Sequence, residues 1–420
     1  MIDIKNKISS LSQNKDAKTL VGNFVWLFVL QIAGYVFPLI TMPYLARVIG
    51  VEGFGKIAFA SAIMVWIYTI ADWGFNLTAT RDVAQNRDNP QKVSEIFSNV
   101  LWARCLLMLL SLLVLLILIA VVPKFHQESG VIIATFLMIP GHILFPDWFF
   151  QAVERMKYIT ILNVLMKFVF TIAVFLFIKK PEDYILQPLF TSLGYVVSGI
   201  IALYVILKKW NIKLQRPNYN VVLKTIRDST DVFINNLAPN LYNSFSTVLL
   251  GFFGGTLANG IYDGGVKFEN LGKQLLYILI RTIFPFISRK PEKHNQFALI
   301  VLVITVVVVV ILYILGPWLV DFMLSDDFIE SVIVLRILAI SLIFVSLSNV
   351  YGLCYLIICK QERILRKITV YSSLAGFLVA WPLIYYFSYV GAALTVAFSR
   401  FLIGFFTTIY ARKRMNINCI

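Results

Sequence analysis

Long apolar stretches, separated by short polar breaks, recur along the chain from residue 21 to residue 411. A helix needs about 20 mostly apolar residues to cross a bilayer core of roughly 30 Å. The stretches lack the alternating pattern of barrel strands, so the pattern predicts spanning helices. We predict an all-α polytopic membrane protein with twelve such helices, at 21–47, 56–77, 99–122, 130–150, 158–178, 184–207, 231–253, 260–287, 297–316, 331–358, 368–388 and 390–411.

Composition supports a membrane protein and excludes a soluble domain. Hydrophobic residues make up 59% of the 420 residues and charged residues only 14%. The polar, basic first 20 residues precede an apolar run too long for a signal-peptide core, so we expect the first helix to be retained. The chain has four cysteines and no C-x-x-C pair, which suggests neither a disulfide framework nor a metal site.

Basic residues fix the expected orientation. With both termini in the cytoplasm, the inner segments collect 25 Lys and Arg and the outer loops only five. The positive-inside rule therefore predicts cytoplasmic termini. Basic loops beside an anionic cytoplasmic leaflet also explain the formal net charge of +15, and no nucleic-acid motif appears, so we expect membrane lipids rather than nucleic acid as partners.

The longest inner loop divides the chain at its middle. We predict an N-terminal lobe at 1–207 with helices one to six, a cytoplasmic linker at 208–230 and a C-terminal lobe at 231–420 with helices seven to twelve. The loop between the first two helices of each lobe contains two glycines, Gly50 and Gly55 in the first lobe and Gly255 and Gly260 in the second. Each glycine of the second lobe lies 205 residues after its counterpart in the first. Glycine is common in turns, but equal helix counts favour a parallel repeat, from which many transporters build alternating access.

Seven cations fall inside the predicted spans, namely Arg104, Lys167, Lys267, Lys273, Arg281, Arg336 and Arg400. Each needs a partner or water, because a charge at the bilayer centre costs roughly 2.5–3.5 kcal/mol on insertion scales. We expect Arg104 to snorkel to the cytoplasmic surface and Arg336 to reach the acidic outer loop at 326–330.

The predicted eighth helix carries a polar stripe. At 3.6 residues per turn, one face collects Lys267, Asn270, Gln274, Tyr277 and Arg281. The stripe is about 21 Å long at 1.5 Å per residue, most of the hydrocarbon thickness. Off this face, Glu269 and Lys273 stand at i and i+4, in the favourable order for an ion pair. Only Lys267 and Arg281 then call for an outside anion.

Other predicted helices are polar on one side as well. The seventh aligns Asn236, Asn240, Asn243 and Thr247 on one face, and we expect Pro239 to bend it. The fifth aligns Thr160, Asn163, Lys167 and Thr171, and the twelfth places Arg400 near mid-bilayer. For the amides, a hydrated cavity and interhelical hydrogen bonding remain equal alternatives. For Lys167, Lys267, Arg281 and Arg400 we favour a hydrated cavity. Intramembrane acids are scarce, so this cationic surplus predicts an anionic substrate with a phosphate or pyrophosphate head.

Four stretches carry a family resemblance: PLITMPYLARVIGVEGFGKIAFASA, DWGFNLTATRDVA, FPDWFFQAVERMK and VIVLRILAISLIFVSLSNVYGL. They resemble the Wzx-type O-antigen flippases, polysaccharide transporters of the multidrug/oligosaccharidyl-lipid/polysaccharide superfamily. The resemblance implies two six-helix lobes around a central cationic cavity in the bacterial inner membrane. It also implies export of undecaprenyl-pyrophosphate-linked oligosaccharides from the cytoplasmic to the periplasmic leaflet by alternating access, as a step in lipopolysaccharide biosynthesis.

The same resemblance implies roles for particular residues and partners. Arg47 is expected to line the cavity near its outer rim, and Arg81 to stand at its cytoplasmic mouth. Related transporters use proton or sodium gradients, for which Asp72 and Glu269 are the candidate coupling acids. An O-antigen polymerase and a chain-length regulator are candidate partners, and no cofactor is expected.

Three other functions compete with this one. A multidrug exporter of the same superfamily predicts acids that select cations, the reverse of the surplus found here. A flippase for a peptidoglycan lipid precursor carries a substrate with a similar pyrophosphate, so this alternative is not excluded. A membrane glycosyltransferase or O-antigen polymerase needs a sizeable loop domain or clustered acid and base residues, yet the chain has three histidines and short outer loops. We therefore expect a transporter rather than an enzyme.

Overall fold

The computed structural model describes residues 15–289 and 291–415, and these residues form helices and connecting turns with no strand. The chain divides into two compact units. The first unit comprises the residues up to Tyr44 together with Ile67–Ile234, and the second comprises Leu45–Trp66 together with the residues from Asn235 onward. These units are defined by packing, and the division into two six-helix lobes stays a prediction.

The α-helices follow in chain order as α1 (Lys15–Asp72), α2 (Phe75–Gln85), α3 (Pro90–Val121), α4 (Pro123–Gln127), α5 (Ser129–Phe136), α6 (Met138–Leu144), α7 (Asp147–Ala152), α8 (Met156–Phe177), α9 (Leu186–Lys209), α10 (Tyr219–Asp228), α11 (Thr230–Leu237), α12 (Ser244–Phe253), α13 (Gly255–Arg289), α14 (His294–Met323), α15 (Ser331–Leu347) and α16 (Glu362–Met415). Short 3₁₀ segments join several of them, and α15 continues into a π-helix at Ser348–Ile357.

Nine helical stretches among the described residues are long and apolar enough to cross a membrane. Two of the nine each hold two predicted spans end to end. In α1 the chain turns at Gly50, with φ of 66°, and in α16 it turns at Ser388, with φ of 49°. A positive φ breaks the helical path, and glycine adopts it without steric cost. The all-helical polytopic fold predicted from hydropathy is confirmed.

The predicted seventh span is the exception, because it is broken near its middle. Helix α11 ends at Leu237, a 3₁₀ turn covers Ala238–Leu241, and α12 begins at Ser244. Pro239 explains the break, since it has no N–H to donate and its ring clashes with the preceding turn. The expected bend at Pro239 is thus a full interruption of the helix, and the prediction that the four polar residues of this span share one helical face is wrong.

The glycine links meet inside the second unit, where the part of α1 that follows Gly50 crosses the start of α13. A Cβ added to Gly55 would overlap the carbonyl oxygen of Thr256, and one added to Gly260 would overlap the carbonyl oxygen of Val51. Val51 and Thr256 are also 205 residues apart, so each link contacts the other through equivalent positions. Gly255, the counterpart of Gly50, has a similar φ of 76°. Only glycine permits backbones to approach this closely.

The first unit has an aromatic core around the FPDWFF motif. Buried Trp148 and Phe149 of α7 pack edge-to-face at 6.0 Å, and Phe97 of α3 packs against both of them. Offset and edge-to-face aromatic contacts stabilise beyond their buried area. This motif therefore holds α7 against α3.

Candidate functional site

A buried ion pair lies in the first unit. Arg104 of α3 contacts the carboxylate of Asp72 at the end of α1, and its other contact is the amide oxygen of Asn76, 2.9 Å from Nη2. Arg104 is 3% exposed and Asp72 is 6% exposed. The prediction that Arg104 snorkels is wrong, because pairing with Asp72 avoids leaving either charge buried and alone.

Aromatic and polar side chains surround this pair. The Asn76 amide donates to the Tyr68 hydroxyl at 3.3 Å, and the Tyr68 ring lies 4.9 Å from the ring of His142. His142 lies in turn 4.0 Å from the ring of Tyr195. The spacing of four residues between Tyr68, Asp72 and Asn76 was a usable sequence signal for this group. No sequence signal pointed to His142, because it lies on a different helix.

A second buried ion pair lies in the second unit. Arg400 of α16 donates from Nη1 to Glu269 of α13 at 3.1 Å and to the hydroxyl of Ser341 of α15 at 2.8 Å. Glu269 is 1% exposed and Arg400 is 7% exposed. The prediction that Glu269 pairs with Lys273 is wrong, because Arg400 reaches the same carboxylate from another helix. Arg400, which was expected to face a hydrated cavity, therefore has an acid partner within the protein.

Lys267 has an acid partner too. Its ammonium group forms an ion pair with Asp263, one turn earlier on α13, and lies 4.1 Å from the centre of the Phe54 ring. The expectation that Lys267 needs an outside anion is therefore wrong. The i, i+4 spacing of Asp263 and Lys267 is a sequence signal that could have revealed this pair.

The predicted stripe on α13 lies on one continuous helix. Asn270, Tyr277 and Arg281 are exposed, whereas Lys267 and Gln274 are half-buried. The Arg281 guanidinium lies 4.7 Å from the centre of the Tyr277 ring. Among the described residues, Arg281 has no carboxylate partner.

Lys167 likewise has no acid partner in the described part of the chain. It is half-buried on α8, and its ammonium group lies beside Gly34 of α1. On the same helix, Thr160 donates to the carbonyl oxygen of Trp26 at 2.8 Å, which ties α8 to α1. Thr160 thus serves interhelical bonding, one of the two alternatives left open for the polar stripes.

The remaining site candidates lie at exposed positions or helix ends. Arg47 is exposed and donates to the carbonyl oxygen of Phe322 at 3.2 Å, and Arg81 is exposed beside Asp82 at 2.9 Å. Asn236 is exposed near the end of α11, and Asn240 is half-buried in the 3₁₀ turn. The break at Pro239 keeps these two amides off a common helical face.

Two further expectations concern positions outside the stripes. Arg336 does not reach the acidic loop: its Nε donates to the carbonyl oxygen of Tyr313 at 3.4 Å, and its guanidinium lies 4.8 Å from that ring. Within residues 15–289 and 291–415, no group of three or more His, Cys, Asp or Glu side chains could hold a metal ion. The charged chemistry described here is therefore that of Arg, Lys and carboxylates.

Comparison with known sequences gives consistent matches. The model of a family described as polysaccharide biosynthesis protein matches residues 20–291. A protein of Escherichia coli strain K12, named as a candidate O-antigen transporter, is 28% identical over 97% of this chain and 100% of its own length. A protein of the same name from Shigella dysenteriae is 26% identical over 91% of this chain and 98% of its own length.

Solved structures match the fold. The lipid II flippase MurJ in an inward closed conformation gives a TM-score of 0.73 at 13% identity, covering 92% of this chain and 87% of MurJ. An inward-facing multidrug resistance transporter of the MATE family gives 0.71 at 14% identity, covering 94% of this chain and 98% of that protein. At such low identity these matches concern the fold alone.

Proposed function

Because the chain belongs to the polysaccharide biosynthesis protein family, we propose that it is a flippase for lipid-linked oligosaccharide repeat units of a surface polysaccharide such as O-antigen. It is a multi-pass protein of the bacterial inner membrane. In this proposal the oligosaccharide is attached to undecaprenyl pyrophosphate, and it moves from the cytoplasmic to the periplasmic leaflet. The two relatives named as candidate O-antigen transporters support this substrate class.

The single observation that carries the proposal is the distribution of charge. The buried acids Asp72 and Glu269 each hold an arginine. Lys167 and Arg281 have no carboxylate among the described residues. Cations within a span are costly unless something neutralises them, at roughly 2.5–3.5 kcal/mol each near the centre. A pyrophosphate supplies the missing negative charge.

The same distribution argues against a drug exporter that selects cations. Such a transporter needs acidic side chains free to meet its substrate. Asp72, Asp263 and Glu269 are each paired with a basic side chain, and Asp147, which also lies within a predicted span, accepts a hydrogen bond from the backbone N–H of Trp148. Lys167, Lys273 and Arg281 have no ion pair among the described residues, so the balance is positive and electrostatic attraction favours an anion.

In the proposed cycle, the pyrophosphate binds to unpaired cations while the sugar stays hydrated and the polyprenyl tail stays in lipid. Contact with the cations lowers the cost of bringing a charged head group through the membrane. A switch from inward-open to outward-open then delivers the substrate to the other leaflet. Net direction requires coupling to an ion gradient or removal of the product, because binding alone only shifts populations.

We further propose that proton coupling acts through one of the two buried ion pairs, Asp72–Arg104 or Glu269–Arg400, and the second pair shows how. Protonation of Glu269 leaves Arg400 buried with the Ser341 hydroxyl as its remaining hydrogen-bond partner. A buried arginine without a counter-charge is unstable. The pyrophosphate is an anion that stabilises it, which links proton uptake to substrate binding.

Purified protein in proteoliposomes tests this function. We expect transfer of an undecaprenyl-pyrophosphate-linked oligosaccharide between leaflets without chemical change, and a loss of about tenfold or more for Lys167→Ala and for Arg281→Ala, since hydrogen bonds to charged groups contribute about 1.5–3 kcal/mol. Lys267→Ala is the matched control, because Asp263 already neutralises Lys267. Elongation of the sugar chain contradicts the proposal, as does full transfer by both variants.

A second substrate arm separates the related flippase activities. The same proteoliposomes are loaded with a peptidoglycan lipid precursor, which also carries a pyrophosphate. We expect transfer of the O-antigen unit to exceed transfer of this precursor. The reverse order assigns the chain to precursor flipping.

In the cell we expect the O-antigen polymerase to consume the product, assisted by a chain-length regulator.

A further inference from the structure

Lys273 lies one turn from Glu269 on α13, close enough for an ion pair, yet the carboxylate is engaged elsewhere. Arg400 donates to Glu269 at 3.1 Å, and Ser341 helps to hold the guanidinium at 2.8 Å. Lys273 is half-buried and, among the described residues, makes neither a hydrogen bond nor an ion pair. Its charge therefore has no dedicated counter-charge among the residues that the structure describes.

The local charge balance is positive. Glu269 contributes one negative charge, and Arg400 and Lys273 contribute one positive charge each. Lys273 is attracted by Glu269 and repelled by Arg400, so the two effects oppose each other. Because Glu269 and Arg400 are buried against one another, the group as a whole carries one uncompensated positive charge.

Lys273 lies between the buried and the exposed sides of α13. With about 100° between successive residues, Lys273 is rotated by about 40° from Glu269 on one side and about 40° from Tyr277 on the other. Tyr277 and Asn270 are exposed members of the polar stripe, one turn after and one turn before Lys273. An ammonium, an amide and a hydroxyl all donate hydrogen bonds, as phosphate oxygens require.

Lys273 lies near the middle of α13, which spans Gly255–Arg289, about 24–27 Å from either helix end at 1.5 Å per residue. A residue at the middle of a span is about 15 Å from the phospholipid head groups, because the hydrocarbon core is roughly 30 Å thick. A lysine side chain reaches the interface by snorkelling only when it lies near a helix end. An anion must therefore come to Lys273 in the interior of the span.

We propose that Lys273, with Asn270 and Tyr277, binds the pyrophosphate of the lipid-linked substrate. This inference rests on the proposed flippase function and adds a residue to its binding path. Arg281 lies about 12 Å further along the helix axis, toward the end predicted to be cytoplasmic. Arg281 and Lys273 are thus successive contacts, the first near the entry side and the second deeper in the membrane.

The test is direct binding of undecaprenyl pyrophosphate to purified full-length protein, with uncharged undecaprenol as the reference ligand. We expect Lys273→Gln to weaken pyrophosphate binding by about 10-fold or more, as loss of a charged hydrogen bond does. Lys273→Arg keeps binding within about 3-fold of the native protein. The matched control Lys267→Gln has little effect, because Asp263 holds Lys267. Undecaprenol binding stays unchanged in all variants.

Two further measurements keep the outcome decisive. The affinity of the native protein for undecaprenyl pyrophosphate should fall more steeply with salt concentration than the affinity of the Lys273→Gln variant. A purely structural role of Lys273 does not predict this difference. If the Gln variant loses its thermal unfolding transition, Lys273→Cys in a background lacking the other cysteines replaces it. Attaching an ethylammonium group to this cysteine should restore binding, and attaching a methyl group should not.

The results separate the two claims. If the native protein binds undecaprenyl pyrophosphate no better than undecaprenol, the proposed function fails. If the native protein binds it and a folded Lys273→Gln protein binds it equally well, only the role of Lys273 is overturned. Failure of the attached ammonium group to restore binding overturns it as well.

Discussion

Breaking the Glu269–Arg400 pair should destabilise the second unit strongly. Replacing Glu269 by Leu leaves Arg400 buried with the Ser341 hydroxyl, at 2.8 Å, as its remaining hydrogen-bond partner. Because the two side chains are only 1% and 7% exposed, solvent cannot screen the orphaned charge. Removing one partner from a buried ion pair typically costs about 3–5 kcal/mol.

The magnitude depends on the substitution, which gives the prediction internal controls. Glu269→Gln keeps an oxygen that accepts the hydrogen bond from Arg400, so we expect a smaller loss of about 1–3 kcal/mol. Removing both charges in Glu269→Leu with Arg400→Met avoids an unpaired charge, and replacing a buried pair by apolar residues is often close to neutral. We therefore expect the double variant to be more stable than either single variant.

A double-mutant cycle on detergent-purified protein measures this coupling. The free energy of unfolding is determined for the native protein, the Glu269→Leu and Arg400→Met single variants and the double variant. The coupling is the sum of the two single losses less the loss of the double variant, so two losses of about 3–5 kcal/mol and a near-neutral double variant predict a coupling of about 6–10 kcal/mol, and we expect at least about 3 kcal/mol. A coupling below about 0.5 kcal/mol, the level of independent sites, refutes the inference that the pair is a joined structural element.

Two further predictions concern packing. Gly55→Ala should destabilise the protein by about 1–3 kcal/mol, because the added methyl overlaps the carbonyl oxygen of Thr256, whereas Gly22→Ala, with open space around it, should have little effect on the unfolding midpoint. Trp73→Ala should lower stability by about 2–3 kcal/mol, because the Trp73 ring stacks on Phe233 at 3.8 Å, and Trp73→Phe should retain part of this contact. Equal stability of the alanine and reference variants, measured by thermal unfolding, contradicts either packing argument.

Much of the fold could be predicted from the sequence, because the signals are local. Runs of apolar residues mark the spans, and a period of 3.6 places Asn270, Tyr277 and Arg281 on one face of α13. The break in the seventh span also has a local cause in Pro239, but a bend and an interrupted helix have the same sequence signal. Only the structure distinguishes a bent helix from an interrupted one at this position.

The charge pairs could not be predicted in the same way. Arg104 and Asp72 are 32 residues apart, and Glu269 and Arg400 are 131 residues apart. Helical periodicity reports neighbours one turn away, so it favoured Lys273 as the partner of Glu269. Tertiary packing brought a stronger partner from α16. This single exchange of partners turned Lys273 from a neutralised residue into a candidate substrate contact.

Transport by reconstituted protein tests the central claim most directly. Proteoliposomes are loaded with an undecaprenyl-pyrophosphate-linked oligosaccharide, and the fraction that reaches the opposite leaflet is followed over time. The native protein should transfer the substrate unchanged, and a variant with Lys167, Lys273 and Arg281 all replaced by Gln should transfer it no faster than empty liposomes. Transfer at the native rate by this folded variant contradicts the account.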